Sequence, residues 1–256
     1  MNKFDFAEEI LSSPVVDKEA FILDMCRGKD VLDMGCVCHD ESFYSRDDWQ
    51  HGRIKGVARK LLGVDYLESD VKKLQKKGFD VLCADVTREI CIEKTFDVIV
   101  AGDLIEHLVN FEGFFENLSR LLNEGGKVIL STPNPFYAGE FHYVGFKRAY
   151  LINPEHTCWI DPMAMRQLVS RFGFEIVETH FIEKRWSLGN LMAENRNDTY
   201  DILKGEWMKK GTASKIRRRL IGMLFNLFYL PYRFITFQNT RFVRYSDYLV
   251  VLKKAE

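Results

Sequence analysis

Residues 29–36 read Lys29-Asp30-Val31-Leu32-Asp33-Met34-Gly35-Cys36, a short apolar run closing on a carboxylate and a glycine. A run of this length bounded by turn residues suits a strand buried on both faces. The glycine that follows lets the backbone approach a ligand with no Cβ in the way. Similar apolar runs recur at residues 61–65, 81–85, 96–101 and 127–132. Helical patterns alternate with these runs, so βαβ units and a mostly parallel sheet are expected. Phe111, Phe114, Phe115, Leu118, Leu121 and Leu122 share one helical face, and Gly125-Gly126 are expected to end that helix. Asp161-Pro162 is a capping residue ahead of a first-turn proline, and the helix it opens is expected to stop at Gly173. Residues 174–179 and 248–252 supply two further strands, which makes seven.

The chain has 256 residues, 46% of them apolar and 29% charged, with a formal net charge of −1. That size fits one domain, residues 1–256, with 1–28 as an N-terminal helical cap and 187–245 as an insertion between the last two strands. The balanced charge provides no global basic field for nucleic acid. The first residues carry acidic groups and no long apolar core, so no signal peptide is expected. No apolar run reaches the ~18 residues of a membrane span. Cys26, Cys36, Cys38, Cys83, Cys91 and Cys158 are expected as reduced thiols of a cytoplasmic protein. Cys36, Cys38 and His39 lack the second paired cluster that a zinc site needs.

Open α/β sheets bind ligands beyond the carboxyl ends of their strands. Gly35 stands at the first such end and Asp65 at the second, where a carboxylate can accept both hydroxyls of a ribose. Asp85 closes the third, where a carboxylate can accept from an adenine amino group. In order, VLDMGC (31–36), GVDYLESD (63–70), CADV (83–86), FDVIVAGDLIEHL (96–108) and LNEGGKVILSTPNP (122–135) resemble the motifs of class I S-adenosylmethionine-dependent methyltransferases. NPEHTCWIDP (153–162) and FGFEIVE (172–178) extend the likeness. The resemblance implies a Rossmann-like fold: seven strands, mostly parallel, helices on both faces and an antiparallel last strand. It also implies S-adenosyl-L-methionine contacts at Asp33, Gly35, Cys36, Asp65, Tyr66, Asp85, Val86, Ala101, Gly102 and Asp103. The family's Gly-x-Gly-x-Gly run reads Gly35-Cys36-Val37-Cys38-His39 here, so Val37 and His39 must avoid positive φ. The stretch to residue 60, with Trp49 and His51, is expected to help cover the site. A nicotinamide dinucleotide, which wants the full glycine run, is disfavoured.

Methyl transfer from a sulfonium needs in-line positioning and removal of the acceptor's proton. Asp103, Glu106 and His107 follow the fourth strand within one helical turn. Their pattern resembles the E-x-x-E-H signature of magnesium-dependent O-methyltransferases of the ubiquinone pathway and of small-RNA 2′-O-methylation, with aspartate for the first glutamate. The resemblance implies a Mg2+ ion on Asp103, Glu106 and His107 that lowers the pKa of an acceptor hydroxyl. Metal-free relatives also carry Glu-His here, with the histidine hydrogen-bonded or acting as base, and both readings stay open. His156 is expected to line the acceptor pocket as a general base or a further ligand. His107 and His156 are therefore the catalytic candidates. Tyr137, Phe141, His142 and Tyr143 make an aromatic loop that either covers the acceptor or simply packs.

Lys215, Arg217, Arg218 and Arg219 lead into the apolar residues 220–230. Such a segment (215–230) can lie in a membrane interface, and a core-packed helix or a dimer interface is equally compatible. Nucleic acid is disfavoured, because the aromatics are clustered and not interleaved with the cations. STPNPF (131–136) and NPEHTCWIDP resemble methyltransferases of bacterial surface-glycan gene sets. The expected function is O-methylation of a hydroxyl on a sugar, glycan or lipid-linked glycan acceptor, by a cytoplasmic enzyme peripheral to the inner face of the membrane. A quinone or other small metabolite is the alternative acceptor. A non-catalytic methyltransferase-like docking or assembly protein is the alternative of a different class.

Overall fold

The computed structural model describes residues 3–37, 49–137, 153–182 and 245–255. In chain order these form α1 (Lys3–Ser12), β1 (Val15–Val16), α2 (Lys18–Cys26), β2 (Asp30–Met34), α3 (Gln50–Lys55), β3 (Lys60–Asp65) and α4 (Glu68–Lys76). Then come β4 (Val81–Cys83), β5 (Phe96–Gly102), a 3-10 turn (Ile105–His107), α5 (Phe111–Leu121) and β6 (Leu122–Pro133). The last are α6 (Pro162–Arg171), β7 (Phe174–Ile182) and β8 (Asp247–Lys254).

The strands form one eight-stranded sheet in the order β1-β7-β8-β6-β5-β2-β3-β4. β8 runs antiparallel to β6 and β7, and every other pair is parallel. The eighth strand, beyond the seven expected, is β1, which pairs Val15 with Phe181. Two residues are too few to show an alternating pattern. Val31, Val98, Val100, Ile129, Leu249 and Val251 meet Ile22 and Cys26 of α2 and Ile54 of α3 on one face. Their neighbours of opposite parity, Leu32, Ile99, Val128, Leu130, Val250 and Leu252, are buried on the other. There Phe115 of α5 stacks on Phe172 at 4.8 Å and tilts against Phe174 of β7 at 5.8 Å. Cover on both faces is why the central strands read as unbroken apolar runs.

One expected boundary moves. α5 ends at Leu121 and β6 begins at once, so Gly125-Gly126 lie inside the strand and do not end the helix. The N–H of Leu122 closes the last helical turn on the Leu118 carbonyl while Leu122 already pairs with Phe96. Lys254 Nζ holds its carbonyl at 2.9 Å. The register then jumps from Phe96/Leu122 to Val98/Lys127, and Gly125 at φ +71° absorbs the extra residues. α6 has the expected ends: Asp161 accepts from the N–H groups of Met163 and Ala164, and Gly173 follows at φ +74°.

The chain divides into two compact units. The larger, Ser13–Pro133 with His156–Glu183 and Asp247–Glu256, carries the sheet. The smaller comprises Met1–Ser12, Asn134–Glu155 and Lys184–Ser246. Its described residues include α1, with Phe6 and Ile10 buried, and Asn134, whose N–H donates to the Ser246 carbonyl at 2.7 Å. Cys38, His39, Phe141, His142, Tyr143 and the segment 215–230 lie outside the described residues, as does all of the 187–245 insertion except Tyr245. No helix among the described residues is long and apolar enough to cross a membrane.

Candidate active site

β2 has β3 on one side and β5 on the other, so strand order reverses between β2 and β5. A crevice opens beyond the carboxyl ends at such a point. Gly35 lies there at φ +77°, a conformation that favours glycine, and its N–H donates to the Val64 carbonyl at 2.8 Å. A Cβ on Gly35 would come within 3.1 Å of Leu104 Cδ1, so the turns after β2 and β5 touch here. Asp33 sits inside the strand, 1% exposed, with Oδ2 2.8 Å from His51 Nδ1. Gln50 Nε2 stands 3.5 Å from its Oδ1. Cys36 is buried and its carbonyl accepts from Trp49 Nε1 at 3.1 Å. Trp49 and His51, expected over the site, are instead buried supports for the first turn. Trp49 packs edge-on to Phe79 at 4.9 Å, because the apolar cluster with Val71, Leu74 and Val81 offers its ring more burial than a surface cover would.

Asp65 closes β3, and its carboxylate accepts from Val37 N–H at 3.0 Å and from Leu67 N–H at 3.1 Å. It thereby ties the loop after β2 to the turn after β3. Tyr66 beside it is 68% exposed. Asp85 follows β4, where its Oδ1 accepts from the N–H (2.9 Å) and the hydroxyl (2.7 Å) of Thr87. Val86 is buried, its carbonyl held by Asn117 Nδ2 at 2.9 Å. Asn117 also donates to the Arg88 carbonyl and accepts from Ile90 N–H, clamping the loop that presents Asp85. Asn117 was not among the expected site residues; its one mark in the sequence is a polar side chain within the apolar stripe of α5.

β5 ends on Ala101, which is buried, and Gly102. Asp103 follows at φ +50°, its N–H donating to the Ser131 carbonyl (2.9 Å) and hydroxyl (3.1 Å). Its Oδ1 accepts from Ser131 Oγ at 2.9 Å, and its Oδ2 pairs with Lys18 Nζ at 2.6 Å. Lys18 is the second residue that sequence reading missed, since nothing in its surroundings links residue 18 to residue 103.

The 3-10 turn then brings Glu106 and His107 beside His156. A potential ligand atom from each lies within 4.8 Å of the other two. The two imidazole rings meet edge-on, 4.7 Å between centroids. Glu106 is 1% exposed; its Oε2 accepts from Thr132 Oγ1 at 3.0 Å, and its Oε1 has no hydrogen-bond partner among the described residues. Burial, reinforced by the charge of Asp103, pushes the Glu106 carboxyl up to about 8, against the pull of Thr132 and Lys18. The chain after His156 is stitched to the turn: Thr157 N–H donates to the Glu106 carbonyl at 2.8 Å, and its hydroxyl reaches the carbonyls of Glu106 and Leu108. Of the residues considered for a metal, the fold gathers Glu106 and His107 with His156 and engages the Asp103 carboxylate with Lys18 and Ser131.

Residues 16–179 match the family model described as a methyltransferase domain. A probable S-adenosylmethionine-dependent methyltransferase of Mycolicibacterium smegmatis is 30% identical over 158 residues, 60% of this chain and 55% of that protein. An (S)-tetrahydroprotoberberine N-methyltransferase of Eschscholzia californica is 31% identical over 97 residues, 38% of this chain and 27% of that protein. The chain thus spans little more than half of the first curated relative and about a quarter of the second. Among solved structures, a SAM-dependent methyltransferase from Archaeoglobus fulgidus shares the fold with a TM-score of 0.52 at 18% identity, covering 99% of this chain and 100% of that one. With a family model matched over most of the sheet-bearing unit, the chain belongs to the class I S-adenosylmethionine-dependent methyltransferases.

Proposed function

We propose that the protein transfers the methyl group of S-adenosylmethionine to a hydroxyl of a small, sugar or lipid-linked glycan acceptor. The observation that carries this reading is the Glu106, His107 and His156 cluster just beyond the switch-point crevice. Gly35 and the loop tied by Asp65 fit the donor: a left-handed glycine turn for close backbone approach, a carboxylate for ribose hydroxyls, and the exposed Tyr66 ring beside it. Asp85 and Val86 serve the adenine end, and Ala101, Gly102 and Asp103 the methionine end. Asp33 acts from within the strand, holding His51 and Gln50 behind Gly35.

The donor supplies an electrophilic methyl on sulfur. The acceptor oxygen forms the new O–C bond as the C–S bond breaks, S-adenosylhomocysteine leaves, and the hydroxyl proton passes to a ring nitrogen of His107 or His156. The sugar acceptor rests on the resemblance of residues 131–136 and 153–162 to surface-glycan methyltransferases. A peripheral position on the membrane rests on the basic-apolar sequence of residues 215–230; equal liposome flotation of the intact and deleted forms overturns it.

Calorimetric titration with the donor, followed by label transfer from methyl-labelled donor to sugars, quinols and amines, tests the proposal. Saturable donor binding and label on a hydroxyl acceptor are expected. No binding at millimolar donor rejects the enzyme and leaves a non-catalytic docking role. Label on amines alone favours the second reading, N-methylation, which the name of the Eschscholzia californica relative supports.

A further inference from the structure

We propose that Glu106, His107 and His156 form a divalent-metal site that takes a nitrogen-favouring transition ion such as Zn2+ or Co2+ in preference to Mg2+. Three observations combine. The potential ligand atoms already lie within 4.8 Å of one another, with both imidazoles half-buried and the carboxylate buried. Glu106 Oε1 has no hydrogen-bond partner among the described residues, although an unpaired buried carboxylate oxygen is costly. The surroundings also orient the set as outer partners of a metal ligand do: Thr132 Oγ1 fixes Oε2, and Thr157 fastens the loop of His156 to the Glu106 and Leu108 carbonyls.

The ion class follows from the donors. Mg2+ seeks a near-octahedral shell of oxygen, built on carboxylates and waters. Here two of three donors are imidazole nitrogens, and the carboxylate that would add oxygen, on Asp103, is held by Lys18 Nζ at 2.6 Å. Two imidazoles and one carboxylate suit zinc and its first-row neighbours, with coordination positions left open. With both imidazoles bound to it, such an ion would stand in for the histidine base of the proposed reaction, lowering the acceptor hydroxyl's pKa so that its proton passes to solvent. The magnesium implied by the sequence signature does not fit this set.

The test uses the full-length chain, free of any histidine tag and stripped with chelator, in equilibrium dialysis against Zn2+, Co2+ or Mg2+ separately. One equivalent of Zn2+ or Co2+ is expected, with visible ligand-field absorption for Co2+, and no stoichiometric Mg2+ at the same free concentration. His107→Gln and His156→Gln, at half-buried positions, should each weaken Co2+ binding at least ~100-fold, and Thr132→Val about 10- to 100-fold. Circular dichroism establishes that each variant is folded. Sub-stoichiometric Zn2+ in the wild type, wild-type affinity in folded His156→Gln, or Mg2+ bound as tightly as Zn2+ overturns the proposal. Donor binding by the stripped chain is read separately, so loss of the metal site leaves the methyl-transfer reading standing.

Discussion

Lys18 Nζ lies 2.6 Å from Asp103 Oδ2, joining the first residue of α2 to the residue directly after β5. Asp103 is the one non-glycine residue at positive φ among those described. Its conformation costs about 1–2 kcal/mol, offset by the Lys18 ion pair and by Ser131, which bonds both its N–H and its carboxylate. Burial pulls the Lys18 pKa down, but the charge and hydrogen bond of Asp103 outweigh it, so the net direction is up. A raised lysine pKa means that the pair's contribution is full below the lysine's ordinary 10.5 and is lost as pH rises through the folded value. Because the pair is partly exposed, Lys18→Met should cost only about 1–2 kcal/mol in urea unfolding. Asp103→Asn should cost ~1 kcal/mol less than Asp103→Ala, because asparagine tolerates the left-handed region. A double-mutant cycle with no coupling between residues 18 and 103 would reject this account.

Gly63 lies where three functional supports converge. A Cβ there would stand 2.7 Å from Cys36 Sγ, 2.7 Å from His51 Cε1 and 2.8 Å from Val81 Cγ1. Gly63→Ala is therefore an overpacking change, expected to cost about 1–3 kcal/mol. It should also weaken donor binding, since His51 braces Asp33 and Cys36 begins the loop tied by Asp65. Gly78→Ala is the control: no atom lies within 4 Å of the added Cβ, and only φ +81° opposes it. That change should cost ~1 kcal/mol with donor affinity untouched. Thermal unfolding and donor titration of both variants decide the matter, and equal donor affinities would count against the bracing role.

The central strands were legible because buried parallel strands are apolar throughout and are closed by aspartate or glycine near their carboxyl ends. Asp33, Asp65, Asp85 and Gly35 stand out in sequence for that reason. What each carboxylate bonds was not legible. Asp33 turns to His51, 18 positions on, and Asp103 to Lys18, 85 positions back, and no local pattern encodes such pairings. The same holds for His156, which meets His107 through the stitching by Thr157. The end of α5 was misjudged for a different reason. Gly125-Gly126 resemble a helix stop, but pairing of Leu122 with Phe96 ends the helix first, a tertiary contact overriding a local signal.

Asp65 offers a direct test of the donor site. Its carboxylate accepts two backbone N–H groups, from Val37 and Leu67, and such charge-assisted bonds are the stronger kind. Asp65→Ala releases both loops and removes the carboxylate proposed for the ribose. Affinity for S-adenosylhomocysteine should fall at least tenfold, about 1.4 kcal/mol. Asp65→Asn keeps one of the two acceptor oxygens and should lose less than Asp65→Ala. Calorimetric titration reads the ranking, and an Asp65→Ala affinity equal to wild type would remove Asp65 from the site.

The cysteines differ in a way that pH exposes. Burial first, then the charge of Asp33, pushes the Cys26 thiol up to about 12, and burial also raises Cys158. Cys83 and Cys91 are exposed. Since the thiolate is the reactive form, iodoacetamide under mildly alkaline native conditions should label Cys83 and Cys91 and spare Cys26 until urea unfolds the chain. The sign for stability follows from proton counting. From about 9 to 12 the unfolded chain has released the Cys26 proton and the folded chain retains it, so stability falls as pH rises across that window. The limiting slope from this one group is about 1.4 kcal/mol per pH unit. Cys26→Ala should be less stable than wild type at neutral pH, having lost buried volume, yet show a shallower decline in alkaline urea titrations. Identical slopes for the two proteins would mean that Cys26 ionises as freely folded as unfolded, against its complete burial beside α3 and the sheet.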